Sequence, residues 1–456
     1  MHELVRQNRR FFLGIGFVGL AIHLFFFFLF PAITDDSRIY ADIATNWLHR
    51  GVYGETQAGQ IVPIDARLPG YPAFLAAVFA LLGVGNFKAA LLIQTVIDLF
   101  ASLLIADLAR RTISDRAAQA AFLLAWLCPF LANYAAAALT ETLEIFFTVL
   151  ALDLAVIGLN SLSAAARLNW TAWAGSGVAV ALCILLRPDG GILPAAIGTY
   201  LLWLMWKQRR QRQAAWSTFR AAVVFSFFAV IPLVPWTLRN LRTLHLFQPL
   251  APRYATDSDE LVPRGFNRWV KTWMVDYVSV EEFYWSVPGV NLDSSKLPDR
   301  AFDSAAQRDR TEAVVEAYNQ SQQMTPEIDA GFAQLAAERI RSHRLRYYFV
   351  LPTLRILDMW LRPRTELLPP DPRWWEFNDE VLSSVGAVAL GIINLAYLVA
   401  ALFGLWRRHA TVRFLGVFLI FVVLRSIFLG TLENPESRYT LECYPVVILL
   451  ASTLWS

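Results

Sequence analysis

The sequence predicts an all-α polytopic membrane protein with about ten transmembrane helices, additional interfacial helices and a small, mostly helical outer domain. Of the 456 residues, 56% are hydrophobic and only 17% are charged, and the mean hydropathy is +0.43. A soluble globular protein has a more polar composition. Apolar runs of about 20 residues, the length of a helix that crosses a bilayer, recur along the chain. The net charge of +3 gives no reason to expect a nucleic-acid partner.

Ten segments are apolar and long enough to be candidate spans. They lie near residues 11–31, 86–109, 117–134, 141–159, 171–187, 191–206, 219–238, 380–405, 412–430 and 441–456. Residues 70–83 are also apolar, but this run has only about 14 residues and starts among prolines, at Pro69 and Pro72. We therefore expect an interfacial or re-entrant helix there.

The basic residues predict the orientation of the spans. With a cytoplasmic N-terminus, the short outer loops carry Arg38, Arg50, Arg67, Arg187 and Arg438, with Lys88 at the border. The inner connections then carry Arg6, Arg9, Arg10, Arg110, Arg111, Arg116, Arg167, Lys207, Arg209, Arg210, Arg212, Arg220, Arg407, Arg408 and Arg413. This excess of inner cations follows the positive-inside rule. Counting 70–83 as a span would turn the 110–111 pair outward, so the two predictions support each other.

The spans divide the chain into three predicted regions. Residues 1–239 form an N-terminal transmembrane module whose first outer loop covers 33–85, residues 240–379 form an extracytoplasmic domain, and residues 380–456 form C-terminal spans. Within the outer domain, helices are expected at 301–318 and 326–346. The second has one apolar face, made by Ile328, Phe332, Leu335, Ala336 and Ile340. Residues 347–360 are apolar but short, and we expect them to lie in the membrane interface.

Six polar clusters fall within a few residues of predicted outer span ends. They are Asp35-Asp36, Arg-Leu-Pro-Gly-Tyr-Pro at 67–72, Thr-Glu-Thr at 140–142, Arg-Pro-Asp-Gly at 187–190, Pro-Trp-Thr-Leu-Arg-Asn at 235–240, and Glu-Asn-Pro-Glu-Ser-Arg-Tyr at 433–439. A pool of soluble nucleotide-activated donors is not expected outside the membrane. If these clusters act on an activated substrate, a lipid-linked donor fits their position better.

The acidic pair Asp35-Asp36 comes directly after the first span, where charge is costly unless it is used. The apolar residues that follow have a roughly helical period, so the pair is predicted to begin a short interfacial helix. An acid at that position is also a good helix cap. For either residue alone, a role as helix cap and a role in catalysis are therefore given equal weight.

The order of these motifs resembles bacterial members of the GT-C glycosyltransferase superfamily, in particular the group similar to protein O-mannosyltransferases and lipid A aminoarabinose transferases. The resemblance implies transfer of a sugar from a polyprenyl-phosphate carrier to a protein, lipid or glycan acceptor on the outer face, usually with inversion. In that family an aspartate of the first outer loop, four positions before a tyrosine, is catalytic. Here it corresponds to Asp36, ahead of Tyr40, with Asp35 as its neighbour.

Sugar transfer from a phosphodiester needs a base for the acceptor hydroxyl and cations for the departing phosphate. Asp36 is the candidate base. Arginine suits phosphate because its planar guanidinium donates paired hydrogen bonds. The candidate substrate-binding residues are Tyr40, Arg67, Tyr71, Glu141, Arg187, Arg438 and Tyr439, with Arg239 as a further outer arginine. For each arginine, anchoring a span end among headgroups is an equally weighted alternative.

Glu141, at the start of the fourth span, has three candidate roles. It could cap that helix, accept a hydrogen bond from a sugar hydroxyl, or share a divalent metal ion with Asp36. The chain has no histidine cluster near these acids that would indicate zinc. The sequence therefore leaves the cofactor open.

A membrane transporter or flippase for a lipid-linked or small polar substrate is the alternative function. Asp98, Asp153 and Arg425 fall deep inside predicted spans, and ionisable residues at such depth are candidates for a transport pathway. They do not, however, cluster or fall on broken helices in matching halves of the chain. An arginine or hydroxyl partner for Asp98 inside the bundle is the structural alternative.

Overall fold

The computed structural model describes residues 1–165, 168–254, 261–377 and 381–456. Contacts divide the chain into two units. The first comprises Met1–Asp257, Ala396–Val422 and Leu441–Ser456, and the second comprises Ser258–Leu395 and Val423–Thr440. Arg167, assigned to an inner loop, and the predicted domain boundary at 379–380 lie outside the described residues.

The architecture is helical almost throughout, as predicted. The N-terminal helices are α1 (His2–Gln7), α2 (Arg9–Leu29), α3 (Asp35–Arg50), α4 (Gly70–Leu82), α5 (Phe87–Thr112), α6 (Asp115–Trp126), α7 (Pro129–Ala135), α8 (Glu141–Ala165), α9 (Trp170–Leu186), α10 (Ile192–Lys207), α11 (Arg212–Val230) and α12 (Val234–Thr243). The remaining helices are α13 (Arg264–Val270), α14 (Tyr277–Glu282), α15 (Ala305–Ser321), α16 (Pro326–Ser342), α17 (Leu351–Leu361), α18 (Val381–Arg408), α19 (Leu415–Gly430) and α20 (Tyr444–Ser452). In the described residues, β structure is confined to the hairpin of β1 (Gly54–Gln57) and β2 (Gln60–Pro63) and one isolated bridge.

The protein is a multi-pass membrane protein. By length and composition, the helices able to cross a bilayer are Arg9–Leu29, Phe87–Thr112, Glu141–Ser163, Arg212–Thr243 and Val381–Thr411. The pair α6 and α7, bent by 53°, makes a sixth candidate within the described residues. The predicted number of ten spans is therefore not confirmed. The apolar runs near 191–206 and 441–456 form helices of only 16 and 9 residues, and α4 has 13 residues, as short as predicted.

Small residues let helices of the first unit approach closely. A methyl group added at Gly177 of α9 would lie 2.5 Å from the Phe225 carbonyl oxygen of α11. The helix α6 buries a stripe of alanines that includes Ala117, Ala118 and Ala121. Close backbone approach of this kind is typical of helices packed in membranes, because apolar surface alone gives no net drive toward association in lipid.

The second unit has its own aromatic core. Its centre is formed by Phe266, Trp269, Trp273, Phe283 and Phe332. On α16 the predicted apolar face is confirmed, with Phe332, Leu335, Ala336 and Ile340 buried and Ile328 packed at the edge of the core. In α16, the apolar residues that recur at helical spacing in the sequence are therefore the residues that the fold buries.

Candidate functional site

Backbone hydrogen bonds bring two helix starts of the first unit together. The Ala32 N–H donates to the Ala136 carbonyl and the Ala138 N–H donates to the Ala32 carbonyl, both at 2.9 Å. The Gln94 side chain donates to the Ala137 carbonyl at 2.6 Å. Because α3 begins three residues after Ala32 and α8 begins four residues after Ala137, the acids at the starts of both helices lie in one region.

The N-cap of α3 is Thr34 and not an aspartate, which corrects the capping alternative. The Thr34 hydroxyl accepts from the Ser37 N–H at 3.4 Å, and the Ser37 hydroxyl accepts from the Thr34 N–H at 3.0 Å, forming a capping box. Asp35 and Asp36 occupy the first turn, where the helix dipole favours negative charge. Neither carboxylate is therefore needed to cap the start of the helix.

The two aspartates face different partners. Asp35 pairs with Arg38 at 2.7 Å, and both side chains are largely exposed, Asp35 by 92%. Asp36 accepts a hydrogen bond from Arg67 Nη2 at 3.0 Å and is 35% exposed, while Arg67 is 21% exposed. Asp36 thus sits in a partly enclosed, charge-paired position, and Asp35 points to solvent.

Tyr40 links Asp36 electrostatically to the other polar groups. Burial of its hydroxyl and the negative charge of Asp36 raise the pKa of Tyr40 to about 12, with Glu141 adding to the rise and Arg67 and Arg187 opposing it. At neutral pH the hydroxyl is therefore a proton donor. Its ring packs edge-on against that of Tyr71 with 5.2 Å between centroids.

Tyr71 anchors the start of α4. Its side chain is fully buried and its hydroxyl donates to Gln94 Oε1 at 2.7 Å. Gly70 packs directly against the end of α9, since a methyl group there would lie 2.6 Å from the Leu185 carbonyl oxygen. These contacts hold the 67–72 motif next to Arg187, which follows α9.

Arg187 is surrounded by carboxylates. Its guanidinium lies 3.4 Å from Glu141, 3.6 Å from Glu144 and 3.1 Å from Asp189. Glu141 and Glu144 are nearly fully buried, and Arg187 is 17% exposed. Glu144 was not among the sequence candidates, although its position one helical turn after Glu141 was a usable signal.

Arg239 braces the first outer loop. It donates to the Ile64 carbonyl at 2.7 Å and to the Tyr53 carbonyl, and its guanidinium lies 5.2 Å from the ring centres of both Tyr53 and Trp236. The Ile64 and Tyr53 carbonyls both belong to that loop. The 235–240 motif therefore contributes to the candidate site by holding the first outer loop in place.

Arg438 and Tyr439 belong to the second unit. Arg438 Nε lies 2.6 Å from Glu436 Oε2, and the Tyr439 hydroxyl donates to Glu436 Oε1 at 2.5 Å. Arg438 also lies over the Tyr439 ring at 5.3 Å. Glu436, which is 2% exposed, contacts both candidates; it belongs to the predicted 433–439 motif but was not named as a candidate site residue.

The sequence left open whether Asp36 and Glu141 share a divalent metal ion. Among the described residues, no three His, Cys, Asp or Glu side chains are grouped to hold an ion. The two candidate ligands face guanidinium groups instead, Asp36 that of Arg67 and Glu141 that of Arg187.

The deep charges have partners within the bundle. Asp98 pairs with His23 at 2.9 Å, and the His23 ring stacks on Trp126. This corrects the expected arginine or hydroxyl partner. Asp153 lies 3.1 Å from Arg111. The sequence candidates for a transport pathway in this unit therefore form separate structural pairs.

Comparison with known proteins finds a family that matches part of the chain. Residues 65–236 match the family described as dolichyl-phosphate-mannose-protein mannosyltransferase. This range contains Arg67, Tyr71, Glu141 and Arg187, whereas Asp36 and Arg438 lie outside it. No curated protein sequence was found to match the chain.

Solved structures resemble nearly the whole chain. The oligosaccharyltransferase of Archaeoglobus fulgidus, tethered with an acceptor peptide, is 14% identical and covers 96% of this chain at a TM-score of 0.51. The same organism's AglB in complex with an inhibitory peptide and a dolichol-phosphate is 13% identical and covers 97% of this chain and 50% of its own, also at 0.51. ArnT from Cupriavidus metallidurans in the apo state is 14% identical and covers 98% of this chain and 78% of its own, at 0.38.

The chain spans 49% of the length of the first of these oligosaccharyltransferase chains. At this level of identity the likeness to the two oligosaccharyltransferase structures concerns the fold. The family match and the shared fold confirm the resemblance to GT-C glycosyltransferases that the sequence motifs predict.

Proposed function

We propose that the protein is an integral membrane glycosyltransferase that moves a sugar from a polyprenyl-phosphate-linked donor to an acceptor on the extracytoplasmic face. The observation that carries the proposal is the pairing of Asp36 with Arg67 at 3.0 Å, in a partly exposed position beside the hydroxyl of Tyr40. A carboxylate for proton transfer and a guanidinium for phosphate are the two groups that this reaction requires.

In the proposed reaction Asp36 removes the proton from an acceptor hydroxyl. The acceptor oxygen forms a bond to the anomeric carbon while the bond from that carbon to the phosphate oxygen breaks. Polyprenyl phosphate leaves with the electron pair, and direct displacement inverts the anomeric configuration. Tyr40, protonated at neutral pH, is suited to donate a hydrogen bond to a sugar or phosphate oxygen.

Arg67 is the first proposed phosphate ligand. Only Nη2 contacts Asp36, and Nε is buried without a hydrogen-bond partner in the described part of the chain. A buried donor without an acceptor is costly, so an incoming phosphate oxygen would be favoured there. Within the second unit, Arg438 and Tyr439 are proposed as further substrate-binding residues.

Glu141 and Arg187 are proposed to bind the donor sugar as one paired unit. Arg187 is held by Glu141, Glu144 and Asp189, so three carboxylates surround its single positive charge. Surplus negative charge repels a phosphate, whereas neutral sugar hydroxyls can donate hydrogen bonds to carboxylates. We assign the phosphate to Arg67 for that reason.

The proposed orientation has a cytoplasmic N-terminus and an extracytoplasmic active site. The excess of arginine and lysine in the predicted inner loops supports it. We propose that the chain has three functional regions, residues 1–239, 240–379 and 380–456. The middle region selects the protein, lipid or glycan acceptor. The AglB complex with dolichol-phosphate supports a lipid-linked donor by likeness of fold.

The neighbouring aspartates provide the test. Asp36→Asn keeps the side-chain shape and loses the base, so purified variant in vesicles should lose transfer from a polyprenyl-phosphate sugar by about 100-fold or more. Asp35→Asn is the matched control, because its carboxylate is 92% exposed and pairs only with Arg38 among the contacts seen. Equal activity of Asp36→Asn and the parent protein would refute the proposed base.

A further inference from the structure

The segment from Leu345 through α17 exposes an apolar face on the second unit. It consists of Leu345, Phe349, Val350, Leu354, Leu357 and Leu361, each between 42% and 74% exposed. Its charged residues turn toward the protein. Arg346 forms a two-pronged pair with Asp303 at 2.8 and 3.0 Å, and Arg355 is 1% exposed and donates to the Met274 and Gly430 carbonyls.

The opposite face of α17 packs along two apolar helices. Ile356 contacts Gly430 at the end of α19. One turn further, the Trp360 indole donates to the Ser426 hydroxyl at 3.1 Å. Thus α17 runs from the end of α19 toward its interior.

The C-terminal end of α17 reaches the middle of a membrane-crossing helix. The Asn394 side chain donates to the Trp360 carbonyl at 2.8 Å and to the Arg362 carbonyl at 3.3 Å. Asn394 is the fourteenth of the 28 residues of α18, about 20 Å from its start at 1.5 Å per residue. Whichever end of α18 faces outward, this contact lies near mid-depth.

The turn after α17 meets the conditions for irregular backbone at that depth. Backbone polar groups inside a bilayer must be bonded within protein and shielded from lipid. Arg362, Arg364 and Thr365 are all at most 8% exposed, and Asn394 satisfies two of the carbonyls. A helix lying flat on the headgroups would not need this arrangement.

We propose that residues 345–361 form a re-entrant helix, embedded in one leaflet with its exposed face against the acyl chains of the bilayer. This differs from the interfacial position expected from the sequence. The apolar face continues the exposed apolar surfaces of α18 and α19, of which Val385, Ile392 and Ile427 are more than half exposed. Exposed Arg341 and Arg344, just before the segment, are placed for lipid headgroups.

Depth-dependent quenching tests the proposal on the full-length protein in phosphatidylcholine vesicles. Leu345→Cys, Leu357→Cys and Leu361→Cys carry an environment-sensitive fluorophore, and quenching is compared between aqueous iodide and nitroxides placed high or low on the acyl chain. Val290→Cys is the matched control, since Val290 is 57% and Leu357 47% exposed but Val290 lies in the loop between α14 and α15. The three native cysteines are buried and should stay unlabelled.

Lipid nitroxides, and not iodide, should quench the fluorescence of labelled Leu357→Cys and Leu361→Cys. Iodide, and not the lipid nitroxides, should quench labelled Val290→Cys. Leu345→Cys should respond most to the shallow nitroxide and Leu361→Cys to the deep one. Iodide quenching of Leu357→Cys equal to that of Val290→Cys would overturn the membrane contact. Equal, shallow quenching along the whole segment would overturn re-entry and leave an interfacial helix.

Discussion

At the residue scale, the site depends on how two adjacent aspartates are distinguished. Asp35 and Asp36 have the same chemistry, yet one is paired with the exposed Arg38 and the other with the half-enclosed Arg67. A salt bridge between exposed side chains contributes little to stability. The Asp36–Arg67 pair is less accessible to water, and both of its members interact electrostatically with the Tyr40 hydroxyl.

Arg67→Lys should lower kcat/KM for the lipid-linked donor at least about tenfold while leaving folding unchanged, because lysine keeps the charge but loses the planar fork. Arg38→Lys is the control, since its guanidinium is 70% exposed and contacts Asp35. Transfer assays with donor below saturation, together with thermal melting, separate the two effects. Parent-level transfer by Arg67→Lys would remove Arg67 from the phosphate site.

At the element scale, the site is assembled from loops and helix ends held by close backbone contacts. The Ala32–Ala137 bridge joins the segments before α3 and α8. Gly70 lets the start of α4 lie against the end of α9. These contacts position side chains that local sequence preferences cannot position.

Gly70→Ala should therefore destabilise the first unit by about 1–3 kcal/mol, the usual cost of overpacking, and should reduce transfer. The added methyl would meet backbone at 2.6 Å, which cannot move away as a flexible side chain can. Gly198→Ala in α10 is the control, because nothing lies within 4 Å of its added methyl. Thermal melting in detergent, compared between the two variants, measures the effect; equal melting temperatures would show that α4 and α9 do not need this contact.

At the scale of the whole molecule, the composition of the helices indicates which segments cross the membrane, and the charges of the loops indicate in which direction they cross. Five helices, or six with the bent pair, are long enough to cross it among the described residues. The shorter α9 and α19 are apolar as well. Helix length alone therefore does not define the topology, and the loop charges carry the prediction of orientation.

Cysteine accessibility in whole cells measures that orientation. Asp299→Cys, whose parent side chain is fully exposed, should react with a membrane-impermeant maleimide in intact cells. Arg210→Cys, in the exposed turn after α10, should react only after permeabilisation. The opposite pattern would reverse the topology and remove the argument for a lipid-linked donor on the outer face.

The sequence by itself determined the helical membrane class, the apolar face of α16 and the order of the polar motifs. Each of these depends on neighbouring residues, because composition and a period of 3.6 residues are local properties. The first-turn position of Asp35 and Asp36 was predictable for the same reason. The capping residue was missed because Thr34 competes equally well for that position.

Only the tertiary structure decided which groups meet. Asp36 pairs with Arg67 across 31 residues, and Asp98 pairs with His23 across 75. Such partners are selected by backbone contacts between distant segments and by the need to satisfy each buried charge, and neither leaves a periodic signal in the chain. The motifs therefore predicted which polar residues are candidates for the site, and the fold determined which of them form pairs.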